Sequence, residues 1–284
     1  NRQLRCTGVG LTLLQPRGQR PSGDSVSLII VEISDRVGTI TMNYEAKRNA
    51  LAEQMVQEIA DTLHDFERQG VRVVILRGQP GIKVWSSGHN VAELPLGGLD
   101  PLGWQDPLRM IIRRIESYPG PVIALVEGGV WGGACELVFA CDLVIATPEA
   151  TFAATPAKLG VPYNATGLLT FLNAAPPHIA KELLFTGRPM TAERLERHGI
   201  VNHTVAANDI GCFTREIAVT IAQNSPLAIG VMKEQLRILA GAHALSPEDF
   251  ERIQGLRRVV YNSRDYAEGI EAFKEKRPPV YIGE

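Results

Sequence analysis

Two glycine turns constrain this chain more than any other feature: Val84-Trp85-Ser86-Ser87-Gly88-His89-Asn90 and Glu127-Gly128-Gly129-Val130-Trp131-Gly132-Gly133-Ala134-Cys135-Glu136. Each follows an apolar, β-branched run that reads as a buried strand, and each opens into a segment that reads as the start of a helix. Glycine at such a strand end frees backbone N–H groups and lets a ligand approach the main chain. Two such ends side by side would aim two N–H groups at one oxygen, which is an oxyanion hole and points to acyl-thioester chemistry rather than nucleotide binding or metal catalysis.

The runs around these turns read as alternating strands and helices. Ser27–Ser34 and Gly38–Asn43 form a hairpin across Asp35-Arg36-Val37. Asn49 is a candidate N-cap for a helix whose apolar face is Leu51, Met55, Ile59, Leu63 and Phe66, ended by Gly70. Val71–Leu76 is a strand covered on both faces. After a long loop (Leu94–Gln105), a helix over Pro107–Glu116 precedes the strand Val122–Val126. Behind the second turn come a helix from Gly133 to about Ala140 and the strands Leu143–Ala146 and Thr151–Ala154. The class is therefore α/β. From Pro177 the chain reads as mostly helical, with Ile210, Phe213, Ile217 and Ile221 on one face and Ser225-Pro226 and Ser246-Pro247 opening helices. We expect a disordered leader over residues 1–24, a core over 25–220, and a helical C-terminal region over 221–284 that packs elsewhere.

Composition narrows the function classes. A net charge of -2 lacks the basic excess of a nucleic-acid binder. The longest apolar runs fall far short of the ~20 residues needed to span a bilayer, so a soluble, cytoplasmic protein is expected. The leader, with Arg2, Arg5, Arg17 and Arg20 and no acid before Asp24, also admits reading as a mitochondrial transit peptide. Four cysteines form no C-x-x-C pair, and six histidines form no H-E-x-x-H, so neither a disulfide framework nor a metal site is expected.

Several of these segments together carry a family signature. They are Asn49-Ala50-Leu51, Ser87-Gly88-His89-Asn90, Gly132-Gly133-Ala134-Cys135-Glu136-Leu137, Leu159-Gly160-Val161-Pro162, Gly187-Arg188-Pro189-Met190-Thr191-Ala192 and Glu268-Gly269-Ile270-Glu271-Ala272-Phe273-Lys274-Glu275-Lys276-Arg277. On them, residues 27–284 resemble the crotonase (enoyl-CoA hydratase/isomerase) superfamily. Glu93-Leu94-Pro95, Asp100-Pro101-Leu102, Val130-Trp131-Gly132-Gly133 and Val161-Pro162-Tyr163-Asn164 bring the chain nearest to its methylmalonyl-CoA decarboxylase branch. The resemblance implies a spiral of ββα units, a homotrimer or homohexamer built through the C-terminal helices, and an acyl-CoA thioester in a cleft, with no further cofactor.

Carried over by motif position, the resemblance assigns the oxyanion-hole amides to His89 and Gly133. Hydratases of the family use two glutamates. Glu136 fills the first site, but the second falls at Pro156, which cannot act as acid or base. Loss of CO2 delivers its own electrons and needs no base. The implied reaction is thus conversion of methylmalonyl-CoA to propionyl-CoA and CO2, with a hydratase- or isomerase-type reaction, or a non-catalytic CoA-ester scaffold, as the alternatives. Tyr163 is the expected partner of the departing carboxylate. The His89 imidazole is a second candidate for that contact, or for returning a proton to the enolate carbon. Glu136 is either turned away into a helix-end hydrogen bond or titrates high and donates a proton. Lys47 and Lys276 are candidates for the CoA phosphates, Ser87, Gly88, His89, Asn90 and Val91 for the pantetheine, and Thr155 and Gly133 for the thioester region.

Overall fold

Asp35 and Arg36 both sit in the left-handed region (φ 51° and 62°), which gives the tight turn whose twist matches a hairpin. It joins β2 (Ile29–Ser34) to β3 (Val37–Met42). Val37, expected in the turn, instead opens β3 opposite Ser34. The computed structural model describes residues 12–13, 27–95, 97, 99–242 and 246–284. Of the expected leader only Thr12–Leu13 falls among these, as β1, antiparallel to β2; the rest of that expectation lies outside the described residues.

α1 (Glu53–Arg68) buries Met55, Ile59, Leu63 and Phe66, the face read from the sequence. At roughly 1.5–3 kcal/mol per buried side chain, that stripe fixes the helix on the sheet. Its start differs from expectation. The cap position is Ala52, and Leu51 precedes the helix, bridged to His89. Asn49 is fully buried at φ 48°; its side chain accepts from the Tyr44 amide and donates to the Trp85 carbonyl. Asn tolerates the left-handed region because its short amide can bond locally, so here it ties the segment before α1 to the first glycine turn.

The chain then climbs in repeating steps. β4 (Val73–Gly78), β5 (Val84–Ser86) and α2 (Pro107–Ser117) form one. β6 (Val122–Val126), β7 (Gly129–Trp131) and α3 (Gly133–Phe139) form the next. β8 (Leu143–Ala146) and β9 (Thr151–Ala153) follow, then α4 (Ala165–Ala174), α5 (Pro177–Thr186), β10 (Met190–Thr191), α6 (Ala192–Arg197) and β11 (His203–Thr204). Each step gives its first strand to a seven-stranded sheet, ordered β1-β2-β3-β4-β6-β8-β11, and its second to a four-stranded sheet, ordered β10-β9-β7-β5. This is the spiral of ββα units.

β4 and β6 are buried on both faces, as their unbroken apolar runs require. Val74, Leu76 and Ala124 face the main core, while Val73, Ile75, Ile123 and Leu125 face a second layer under α7 (Ile210–Gln223). α8 (Pro226–Ala240), α9 (Pro247–Tyr261) and α10 (Arg264–Glu275) complete the chain, the first two capped by Ser225 and Ser246 as expected. α10 does not pack elsewhere: Gly269 and Phe273 line the same cavity as His89 and Tyr163.

Candidate active site

β5 and β7 run parallel and adjacent, with Ser86 opposite Val130, so the two glycine turns emerge side by side. The second opens α3 as expected. The first instead enters a 3-10 turn, Val91–Glu93, because the Asn90 side chain caps that short turn at the Ala92 amide. Gly88 has φ 85°, and a Cβ on it would fall 2.7 Å from the Gly133 nitrogen. Only glycine lets the first turn lie against the start of α3 this closely. A Cβ on Gly133 would in turn meet Leu108 Cδ2 at 2.7 Å and stand 3.6 Å from the His89 nitrogen. Gly133 is a first-turn residue of α3, where N–H groups have no intrahelical acceptor. Among the described residues, neither the His89 nor the Gly133 amide donates to a protein acceptor.

Both residues line a cavity of about 1360 Å³. Ser87, Asn90, Val91, Thr155 and Tyr163 line it as well, and so do Lys47 and Lys276. Among the described residues neither ammonium has a hydrogen-bond or ion-pair partner. Gly88 is not on the cavity wall; it lies behind it, against α3. Pro156 is on the wall, at the head of the 3-10 turn Pro156–Leu159.

Glu136 is absent from the wall and 1% exposed. Its Oε1 lies 2.6 Å from Arg109 Nη2, and a Cβ on Gly167 would meet both Glu136 Oε1 and the Tyr163 ring. The carboxyl thus sits behind Tyr163, near the start of α4. Each of the two readings of Glu136 is met in part: the carboxyl turns from the cavity, with Arg109 rather than a helix end as its partner, and it titrates high. Burial pushes its pKa up to about 7. Arg109 works against that rise, and the negative charges of Glu116 and Asp106 add to it.

The Tyr163 hydroxyl is sealed from solvent and has no hydrogen-bond partner among the described residues. Burial drives its pKa well above 10, with Glu136 and Cys135 adding and Arg109 opposing, so it is a neutral phenol. A buried hydroxyl without an acceptor calls for an explanation. Its ring packs edge-on against Phe171, centroids 5.4 Å apart, and Arg257 Nε donates to its backbone carbonyl at 3.0 Å.

Both nitrogens of the His89 ring face acceptors. Nδ1 lies 3.1 Å from the Asn90 carbonyl and Nε2 2.5 Å from Asp106 Oδ2. Burial alone would lower its pKa. The hydrogen bond and charge of Asp106 outweigh that, helped by Asn90 and Glu93, and the net shift is upward from 6.5.

Asp106, Arg109 and Arg257 were missed from sequence. Asp106-Pro107 carries a helix-start signal, and Asp106 does cap α2 through the Leu108 and Arg109 amides. Its second partner, His89, and the Arg257 fork onto Asp100 are long-range pairings that no local pattern encodes.

The enoyl-CoA hydratase/isomerase family model matches residues 32–284. The methylmalonyl-CoA decarboxylase of Escherichia coli K12 is 46% identical over 259 residues, covering 91% of this chain and 99% of that protein. The mitochondrial enoyl-CoA hydratase domain-containing protein 3 of Danio rerio is 30% identical, over 98% of this chain and 94% of its own length. A crystal structure of methylmalonyl-CoA decarboxylase in complex with 2-nitronate-propionyl-CoA superposes with a TM-score of 0.90 at 46% identity, covering 92% of this chain and all (100%) of that one. Another, complexed with 2S-carboxypropyl-CoA, gives 0.89 at the same identity and coverage. An enoyl-CoA hydratase from Mycobacterium avium, 23% identical, shares the fold with a TM-score of 0.74, over 91% of this chain and 100% of its own.

Proposed function

We propose that this chain, which belongs to the enoyl-CoA hydratase/isomerase family, decarboxylates methylmalonyl-CoA to propionyl-CoA and CO2. The observation that carries this reading is a cavity on which two amides, His89 and Gly133, have no acceptor among the described residues, with a proline rather than a carboxylate at position 156.

The thioester oxygen accepts from the His89 and Gly133 amides. The Tyr163 hydroxyl, sealed in the free protein, is reached as the acyl group displaces the wall around it; it then donates to the substrate carboxylate and holds it out of the thioester plane, so that the breaking C–C bond overlaps the carbonyl π-system. As CO2 departs, its bonding electrons enter the thioester and the charge settles on the oxygen as an enolate. Donors fixed in place before the reaction are worth roughly 10²–10³ in rate each. A proton on the α-carbon then gives propionyl-CoA. The thioester is itself the electron sink, so the reaction requires no further cofactor. A neutral phenol suits the carboxylate site, because a cation there would stabilise the ground state as well as the transition state. Hydration would need two carboxylates at the acyl group, and Glu136 faces Arg109 behind the wall.

We assign Lys47 and Lys276, which line the cavity and have no ion-pair partner among the described residues, to the CoA phosphates, Ser87–Val91 to the pantetheine and Thr155 to the thioester. We assign the chain to a homotrimer or dimer of trimers. The support is apolar side chains left exposed on α8 and α9, among them Leu227, Leu236, Leu239, Leu256 and Val259, each more than half exposed. Among the described residues no helix is long and apolar enough to cross a membrane.

Incubation with methylmalonyl-CoA, following CO2 release and propionyl-CoA, tests the reading. Turnover is expected with that ester and not with crotonyl-CoA. Hydration of crotonyl-CoA without CO2 release from methylmalonyl-CoA would overturn it.

A further inference from the structure

The first turn of α2 touches every part of the oxyanion site. Asp106 reaches the His89 ring, the Leu108 side chain packs on Gly133, and Arg109 pairs with Glu136 on α3. The segment before His89 is already held on its other side, where the Ser87 amide donates to the Arg48 carbonyl and the Leu51 amide to the Gly88 carbonyl. The Gly88 carbonyl and the His89 N–H belong to one planar peptide, so the Leu51 bond holds that plane at its carbonyl, and the His89 side chain, tied to Asp106, is the handle that anchors it at the His89 Cα. Asp106 spends one oxygen on capping α2 and the other on that handle.

Building on the decarboxylase reading, we propose that Asp106 is a positioning residue for the reaction: through a charge-assisted bond to the His89 ring it anchors the His89 end of that peptide, and with it the His89 amide, opposite Gly133. The protonation follows from geometry. A carbonyl oxygen at Nδ1 and a carboxylate at Nε2 both accept, and a ring that carries hydrogen on both nitrogens satisfies both. The charged groups acting on the ring are Asp106 from α2 and Glu93 from the 3-10 turn, both negative. With both N–H groups engaged, the imidazolium forms a pair of no net charge with Asp106, which ties down the side chain, and it is not the group that returns the proton.

The test is Asp106→Asn. Asn caps a helix as well as Asp does, but its amide donates to Nε2 and so requires a neutral ring. The expected result is a fall in kcat of about 10–100-fold, with KM changed by no more than about threefold. The 15N signals of His89 should change from a doubly protonated to a neutral ring. The infrared carbonyl band of bound 13C-labelled propionyl-CoA, lowered by the amide pair in the wild-type protein, should return toward its position in water. A kcat within about twofold of wild type, an unchanged carbonyl band, or a ring still doubly protonated in the variant would overturn the proposal. If Asp106→Asn does not fold, Asp106→Ser, which also caps, carries the same measurements. A wild-type protein that releases no CO2 would remove the decarboxylase reading; the carbonyl band, read without turnover, would still decide the role of Asp106.

Discussion

Replacing Tyr163 by Phe should make the protein more stable and less active. The substitution removes one oxygen and leaves the ring, whose edge-on contact with Phe171 does not involve the hydroxyl. That hydroxyl is inaccessible to solvent and bonded to nothing among the described residues, so the free protein carries its desolvation uncompensated. Burying such a group costs about 1–3 kcal/mol, and Phe should recover on the order of 1 kcal/mol of it. For a chain of this size that is a rise in Tm of roughly 2–4 °C. The loss appears only with substrate. If the phenol holds the carboxylate perpendicular to the thioester, its removal should lower kcat at least about tenfold, equivalent to about 1.4 kcal/mol of transition-state stabilisation. KM should change less. Thermal melts of the free proteins and CO2 release from methylmalonyl-CoA read the two effects separately. A Tyr163→Phe protein with wild-type kcat removes Tyr163 from the chemistry. One that melts several degrees lower shows that the hydroxyl makes a stabilising bond in the free protein, and the reasoning from an unsatisfied group then fails.

Other outcomes follow from the same geometry. The Glu136 carboxyl titrates near 7 in the fold against an ordinary 4.5, so the folded protein holds this proton more tightly than the unfolded chain. Stability should therefore fall as pH rises from about 5 to 8, by up to about 3 kcal/mol, and Glu136→Gln should flatten that part of the Tm–pH curve; an identical slope in the variant refutes the assignment. Pro156→Glu should not produce an efficient crotonyl-CoA hydratase, because its partner Glu136 is committed to Arg109 behind the wall; rapid hydration in a coupled spectrophotometric assay would contradict this. Light scattering should give a trimer or hexamer, and Leu236→Asp with Leu239→Asp, both on the exposed face of α8, should drive it to monomer; a wild-type monomer would refute the oligomer.

The parts of the fold readable from sequence are those set by local patterns. The stripe of Met55, Ile59, Leu63 and Phe66 gave α1 because one face of a helix recurs at that spacing. The unbroken run Val122–Val126 gave the strand β6, which the fold buries on both faces. Ser225 and Ser246 gave two helix starts. Errors fell where a long-range contact outweighed a local signal. Asn49 looks like a cap, but two backbone groups, one from the Trp85 strand, claim its side chain. The turn at Gly88 looks like a helix start, but Asn90 caps a short 3-10 turn instead. α4 and the two-residue strands β10 and β11 gave too little pattern to be read.

The candidate site divides in the same way. Gly88, His89 and Gly133 stand out in sequence because close backbone approach demands glycine and leaves a short, recognisable motif. Pro156 reads as a missing carboxylate only through the resemblance to the family, whose hydratases carry a glutamate there. Sequence therefore pointed to the two glycine turns by itself and, through the resemblance, to the two amides and to the position without a carboxylate. It did not determine that Glu136 turns from the cavity to Arg109, that the Tyr163 hydroxyl is left without an acceptor, or that Asp106 joins the His89 ring to the cap of α2. Those are pairings between elements far apart in the chain. Where a charged or polar side chain points is decided by which partner packing brings within hydrogen-bond reach, and only the closed spiral of strands and helices fixes that.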